Sequence, residues 1–110
     1  MVKIKKGVMP TYIYLGFIDE LYAGYMAGTM LGVGSIDIQE TKLVPEFQGV
    51  KIVRIMREMI KKVQMDFSSI FVHVNNDNHN MLKILLNEGF RIIGTRTDAN
   101  IVFVELLKSR

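Results

Sequence analysis

The sequence predicts a protein of the α/β (α+β) class, a sheet with two main helices laid among its strands, and three observations carry that prediction. Up to Val44 the apolar residues recur mainly at the two-residue period of strands, and from Val50 to Phe67 they recur at the helical period. Ile70 to Val74 is then an apolar run, broken only by His73, of the kind found inside sheets. The 110 residues are 49% apolar, with no cysteine and two prolines, which predicts one domain spanning 1–110 whose core needs no metal or disulfide staple.

Met1 to Lys6 supplies a first edge strand through Val2 and Ile4. Thr11 to Phe17, rich in Tyr, Ile, Leu and Phe, and Leu21 to Met30 form a hairpin around Ile18, Asp19 and Glu20. Gly32 and Gly34 turn the chain into a strand over Ser35 to Val44, where Ile36 and Ile38 alternate with Asp37 and Gln39. Continuing that alternation would bury Glu40 and Lys42 and expose Leu43, so a bulge is expected near Glu40 to Lys42. Pro45 to Gly49 is a turn. The helix that follows carries Ile52, Met56, Met59, Ile60, Val63 and Phe67 on one stripe, with Arg54, Arg57, Glu58, Lys61 and Lys62 off it. Ile70 to Val74 reads as a central strand covered on both faces. Asn75 to Asn78 is a cluster of capping residues before a short helix through Met81, Leu82, Leu85 and Leu86, which Gly89 stops. Phe90 to Arg96 and Ile101 to Leu107 close the chain as two strands.

The chemistry classes narrow in parallel. With no cysteine there is no thiol nucleophile or thiolate zinc site, and an intracellular, cytoplasmic protein is the simpler reading. Fourteen basic residues interleaved with eleven acidic ones give a net charge of +3 and too weak a field for dedicated nucleic-acid binding. His73 and His79 lack a carboxylate pattern for metal; the first is expected beside the sheet and the second exposed at the start of the second helix. Pro10, Asp19 and Glu20 interrupt the apolar start, against a signal peptide. Leu21 to Ile36 is uncharged, with Gly24, Gly28 and Gly32 at the spacing of packing glycines in bilayers. It is nevertheless shorter than the about 20 apolar residues of a spanning helix, so no membrane is expected.

Two stretches carry a family resemblance. Leu43 to Val53, LVPEFQGVKIV, holds an apolar strand end, Pro45, Glu46, Phe47, Gln48 and Gly49 in step. Asn78 to Phe90 contains Asn78, an apolar pair and Gly89-Phe90. Together, in this order and with a buried strand between them, they resemble the acetyl-CoA-dependent N-acetyltransferases of the GNAT superfamily over roughly the last nine-tenths of the chain. The resemblance implies a mixed, mostly antiparallel sheet, here lacking most of the usual N-terminal helices, whose fourth and fifth strands splay apart around the cofactor. A strand running into a tight turn and a helix N-terminus offers free N–H groups to a pyrophosphate. The resemblance thus assigns acetyl-CoA to Leu43, Val44, Gln48, Gly49, Val50, Lys51, Ile52, Val53 and Asn78. It implies transfer of acetyl to a primary amine, with Glu40 as candidate base and Asp37 behind it; a solvated strand carboxylate is the plainer reading of Glu40. Lys51 and Val53 stand where the family has small residues, and Leu85 occupies the place of its proton-donating tyrosine. The alternative is accordingly a catalytically inactive GNAT-fold binding or structural protein of the kind found among small phage-encoded relatives. With too little chain to cover the glycine-rich hairpin, a homodimer is expected.

Overall fold

The computed structural model describes residues 2–6, 9–47, 49 and 51–110. Nine main elements follow one another: β1 (Val2–Lys6), β2 (Met9–Ile18), β3 (Leu21–Gly32), β4 (Ser35–Leu43), α1 (Lys51–Asp66), β5 (Ser69–Asn75), α2 (His79–Asn87), β6 (Arg91–Asp98) and β7 (Ile101–Ser109), with a single 3-10 turn over Pro45–Phe47 before α1. The strands make one seven-stranded sheet in the order β1-β2-β3-β4-β5-β7-β6. Every pairing is antiparallel except β4 with β5. Lys6 pairs with Met9, so two residues separate β1 from β2.

Two hairpins close through two-residue turns whose central residues all have positive φ: Asp19 and Glu20 at 48° and 69°, Ala99 and Asn100 at 50° and 65°. Such turns match the right-handed twist of the strands they join. Gly34, at φ 78°, turns β3 into β4.

Both helices lie on one face of the sheet. Ile55, Met56, Met59, Ile60 and Val63 of α1 are buried there, a stripe wider than the periodicity predicts because Ile55 is fully enclosed and Ile52 only half-buried. Gly16 of β2 makes room for α1: a Cβ on it would lie 3.0 Å from Met59 Cγ. Polar contacts fix the crossing. The Tyr14 hydroxyl donates to Asp66 Oδ2 at 2.8 Å and the Lys62 ammonium to the Leu15 carbonyl at 2.8 Å, while Phe67 meets Tyr12 edge-on. Burial, then the Asp66 carboxylate, pushes the Tyr14 phenol well up from its ordinary value. From α2, Ile84 and Leu85 join the core with Leu106 of β7.

The expectation that β5 is covered on both faces is corrected. Ile70, Val72 and Val74 are buried beneath the helices, whereas Phe71 and His73 on the other face are half-buried. Among the described residues no helix crosses that second face, and neighbouring side chains such as Phe103, edge-on to His73, provide the screening instead. The sheet edges are β1 and β6; in β6 a bulge leaves Ile93 without a partner on β7, beside the exposed Ile92.

The β4 bulge lies one residue earlier than the sequence predicts. Ala27 faces Glu40 and Gly28 faces Ile38, so Gln39 is the extra residue. The cause is on β3, where Gly28 lets the Asp37 carbonyl approach until a Cβ would be 2.3 Å from that oxygen. Backbone cannot retreat as a side-chain tip can, so Gly28→Ala is expected to destabilise the fold by about 1–3 kcal/mol. Urea unfolding followed by circular dichroism measures this, and a variant as stable as the parent would show that the bulge tolerates the methyl group.

Candidate functional site

The pairing of β4 with β5 runs only from Ser35 opposite Ser69 to Ile38 opposite Val72. Beyond it the bulge at Gln39 steers β4 away, and a cavity of about 180 Å³ opens between the strands on the helix side. Its walls come from Gln39, Glu40 and Thr41 of β4, Val72 to Asn75 of β5, Met56 of α1, and Asn78, Met81 and Leu85 at α2. Met56, Val72, Val74, Met81 and Leu85 give it an apolar side and Gln39, Glu40, Thr41, Asn75 and Asn78 a polar one, and the strand segment past Ile38 has no pairing to β5.

Glu40 stands exposed at this cavity's lip. The Tyr25 hydroxyl donates to Glu40 Oε1 at 2.6 Å, and the Lys42 ammonium lies 3.7 Å from the same oxygen. That hydrogen bond is the main reason the Tyr25 phenol is raised above its ordinary value. Asn78 caps α2, its Oδ1 accepting from the Met81 amide at 3.2 Å, and also lines the cavity. Leu85 is buried in the cavity wall, a core residue as expected.

A second opening, of about 340 Å³, sits at the start of α1, between Gly49 and Ile52 on one side and Asn80, Lys83 and Ile84 of α2 on the other. Ile52 and Met56 are one helical turn apart on α1, and each opening has α1 on one side and α2 on the other, so the two openings follow one another along the crevice between the helices. Arg57 spans that crevice with a forked pair of bonds to the nearly enclosed Glu88 carboxylate, the closest at 3.0 Å. A planar guanidinium fits this role where a lysine would not.

The loop residues named from the sequence are placed as follows. Gly49 has φ 93° and nothing within 4 Å of where a Cβ would be, so it presents open backbone. The Lys51 ammonium turns back over the Phe47 ring, 5.8 Å from its centre, and Val53 is exposed away from the buried stripe. Leu43 and Val44 pack against the core; the Val44 amide donates to the Ala23 carbonyl at 2.8 Å and its carbonyl accepts from Phe47. Gln48 and Val50 lie outside the described residues. Sequence reasoning missed Asn80 and Lys83, which come into view only where α2 borders the opening beside Gly49.

A third cavity, of about 120 Å³, lies on the face without helices, lined by Leu31, Asp37, Phe71, His73, Arg96 and Glu105 with Val72 and Leu106. Burial raises the Asp37 carboxyl above the usual range and outweighs the opposing pull of His73 and Arg96.

A sheet that splays at its one parallel junction, beneath a crossover helix and a shorter second helix, decides the family of folds. The fold is that of the GNAT acetyltransferases. The structure superposes on an IAA acetyltransferase from Bacillus cereus at TM-score 0.68 and 16% identity, covering 93% of this chain and 78% of that one. A GNAT family acetyltransferase from Elizabethkingia anophelis with acetyl-CoA bound matches at TM-score 0.70 and 13% identity, covering 93% and 76%. A spermidine N-acetyltransferase mutant from Vibrio cholerae matches at TM-score 0.73 and 12% identity, covering 94% and 67%. No protein-family model matches the sequence, and no curated protein matches it. At these identities the likeness is one of GNAT fold. Among the described residues no helix is long and apolar enough to cross a membrane.

Asp37 gives the GNAT sheet a measurable pH signature. Its folded-state pKa is raised, so the folded protein holds the proton more tightly than the unfolded chain. That contribution is complete below the unfolded value and is lost as pH rises through the folded one. Asp37→Asn is therefore expected to melt at a higher temperature than the parent at neutral pH, with the difference disappearing near about pH 3, where the parent carboxyl is protonated in both states. Equal melting curves at neutral pH would contradict the burial argument.

Proposed function

We propose that this protein is an acetyl-CoA-dependent N-acyltransferase acting on a primary amine, built as one GNAT domain over residues 1–110. The observation that carries the reading is the cavity at the β4–β5 splay, continued by the crevice between α1 and α2. The residues present fit acetyl-CoA. Strand backbone past Ile38 and the apolar walls at Met56, Met81 and Leu85 suit a slender amide-bearing arm, and Asn78 borders the same space. Gly49 and the first turn of α1, with Gln48, Val50, Lys51, Ile52 and Val53 around them, suit a pyrophosphate, to which Lys83 adds charge across the crevice. Bound there, acetyl-CoA supplies an activated thioester, while the chain's own work is to orient it and to bring up an amine without its extra proton. Glu40, which accepts from Tyr25 at the lip, is the base in this reading.

One observation favours the second reading, a GNAT-fold binding protein without turnover. Leu85 is only 2% exposed and apolar, so from that position the departing thiolate receives no proton. Thermal shift and calorimetry with acetyl-CoA separate the two at the first step. Micromolar binding is expected, with stabilisation of about 2.7 kcal/mol at a hundredfold excess over Kd. Lys83→Ala is expected to weaken that binding several-fold. An unmoved melting curve at millimolar acetyl-CoA would overturn the transferase reading.

The hairpin supports assembly as a homodimer. Phe17, Leu21 and Tyr22 are exposed at its turn and Leu31 and Val33 at the far end of β3, two apolar patches that a second copy would cover. Size-exclusion chromatography with light scattering is expected to give twice the chain mass of 12.6 kDa; a monomer at micromolar concentration would refute it.

A further inference from the structure

The crevice between the helices has one wall that is fixed and one that has to be held. Helix α1 rests chiefly on β2, with Met59 over Gly16, Asp66 bonded to Tyr14 and Lys62 bonded to the Leu15 carbonyl. Helix α2 is only nine residues long. Its start is set by the Asn78 cap and by the Asn76 amide, which donates to the Val102 carbonyl at 2.9 Å. Its end is set by Glu88.

Glu88 is held from three elements at once. Its amide donates to the Ile84 and Leu85 carbonyls at 3.0 and 3.1 Å and closes the helix. Its carbonyl accepts from the Lys108 ammonium of β7, which stands so close to Gly89 that a Cβ there would lie 2.7 Å from it. Its carboxylate, 9% exposed, accepts from Arg57 Nε at 3.1 Å and from Arg57 Nη2 at 3.0 Å. Among the described residues no other side chain bonds that carboxylate, and no other hydrogen bond or ion pair joins α1 to α2 or its cap. The bridge also stands beside the space it governs. Arg57 follows Met56, which lines the cavity at the splay, and Glu88 lies one helical turn past Ile84, which lines the second opening.

We propose that the Arg57–Glu88 bridge is a clasp that holds α2 at the one spacing from α1 that admits acetyl-CoA, which makes both of them positioning residues for its binding. This rests on the acetyltransferase reading. Without the guanidinium a nearly enclosed carboxylate loses its partner, and its cheapest relief is for the end of α2 to swing outward until water reaches it. The crevice then samples several widths. Affinity falls in proportion to the fraction of molecules that hold the competent one. A lysine at 57 supplies the charge but not the fork, so it holds α2 less firmly.

Two measurements test this. The chain has no cysteine, so Lys61→Cys on α1 and Leu86→Cys on α2, both exposed and outside the lining of either opening, take a pair of spin labels whose separation is read by pulsed electron paramagnetic resonance. One narrow distribution of distances is expected with Arg57 in place, and a broader, longer one in Arg57→Met. Arg57 is more than half exposed, so that variant keeps the fold, which circular dichroism checks. In the double variant Arg57→Met/Glu88→Met no charge is left to seek water, and the narrow distribution is expected to return. The second measurement is calorimetry with acetyl-CoA on the unlabelled proteins. Arg57→Met is expected to raise Kd about tenfold, as if about one molecule in ten held the competent spacing, and the double variant to recover most of that loss. Distances in Arg57→Met that match the parent overturn the proposal, as does a double variant as open as the single one. So does widening with no change in Kd, or tighter binding in Arg57→Met, which would make the bridge an obstruction. A parent that ignores acetyl-CoA while its distances still respond to Arg57→Met would instead remove the transferase reading and leave the clasp standing.

Discussion

Parallel strands cannot be joined by a tight turn, so pairing Ser35–Ile38 with Ser69–Val72 obliges the chain to leave the sheet, cross it and return. Helix α1 is that crossover, and its burial depends on the strands it crosses. Met59 lies over Gly16, Asp66 accepts from Tyr14 and Lys62 reaches the Leu15 carbonyl, so the helix is pinned to β2 as firmly as to its own neighbours in sequence. Four residue pairs are the whole of the parallel junction. Their brevity is imposed from the other side of β4, where the absent side chain at Gly28 lets the strand bulge at Gln39 and swing clear of β5. The cavity at the splay thus has its origin in a glycine two strands away from β5.

The two faces of the sheet divide the work. Beneath the helices, away from the cavity at the splay, the core is apolar, and Tyr14 and the Glu88 carboxylate have partners on α1. The other face carries charge at its centre and half-exposed rings around it. A half-buried acid raised in pKa works against stability at neutral pH, and Asp37 bears that cost beside a histidine that Phe103 meets edge-on. Val72 and His73, at the end of the parallel pairing, border cavities on both sides of this one layer of backbone.

Much of this was legible in the sequence because period and punctuation act locally. The helical stripe of α1, the Asn78 cap, the Gly89 stop and both hairpins are each decided within a few residues. The bulge was legible in kind, from the conflict between Ile38 and Leu43, but its position depended on Gly28, which alternation along β4 does not contain. The bare face of β5 was not legible: the run Ile70 to Val74 looks the same whether a helix or a set of neighbouring strands lies over Phe71 and His73. For the same reason Asn80 and Lys83, exposed residues of a short helix, gained meaning only once α2 was seen against the loop at Gly49, and the grouping of Asp37, His73, Arg96 and Glu105 from four strands has no signature in linear spacing.

The bulge in β6 bears on how this sheet behaves in a crowded solution. An edge strand with Ile92 and Ile93 exposed side by side is a template on which another extended chain could grow. Ile93 has no partner on β7, so the outward hydrogen-bonding groups of β6 fall out of step there. An incoming strand would keep its ladder for only part of the edge, and Arg91 and Arg96 on either side add charge where a stack of identical strands would have to place like beside like. The irregularity therefore acts as a barrier to fibril growth on an edge whose apolar residues would otherwise invite it.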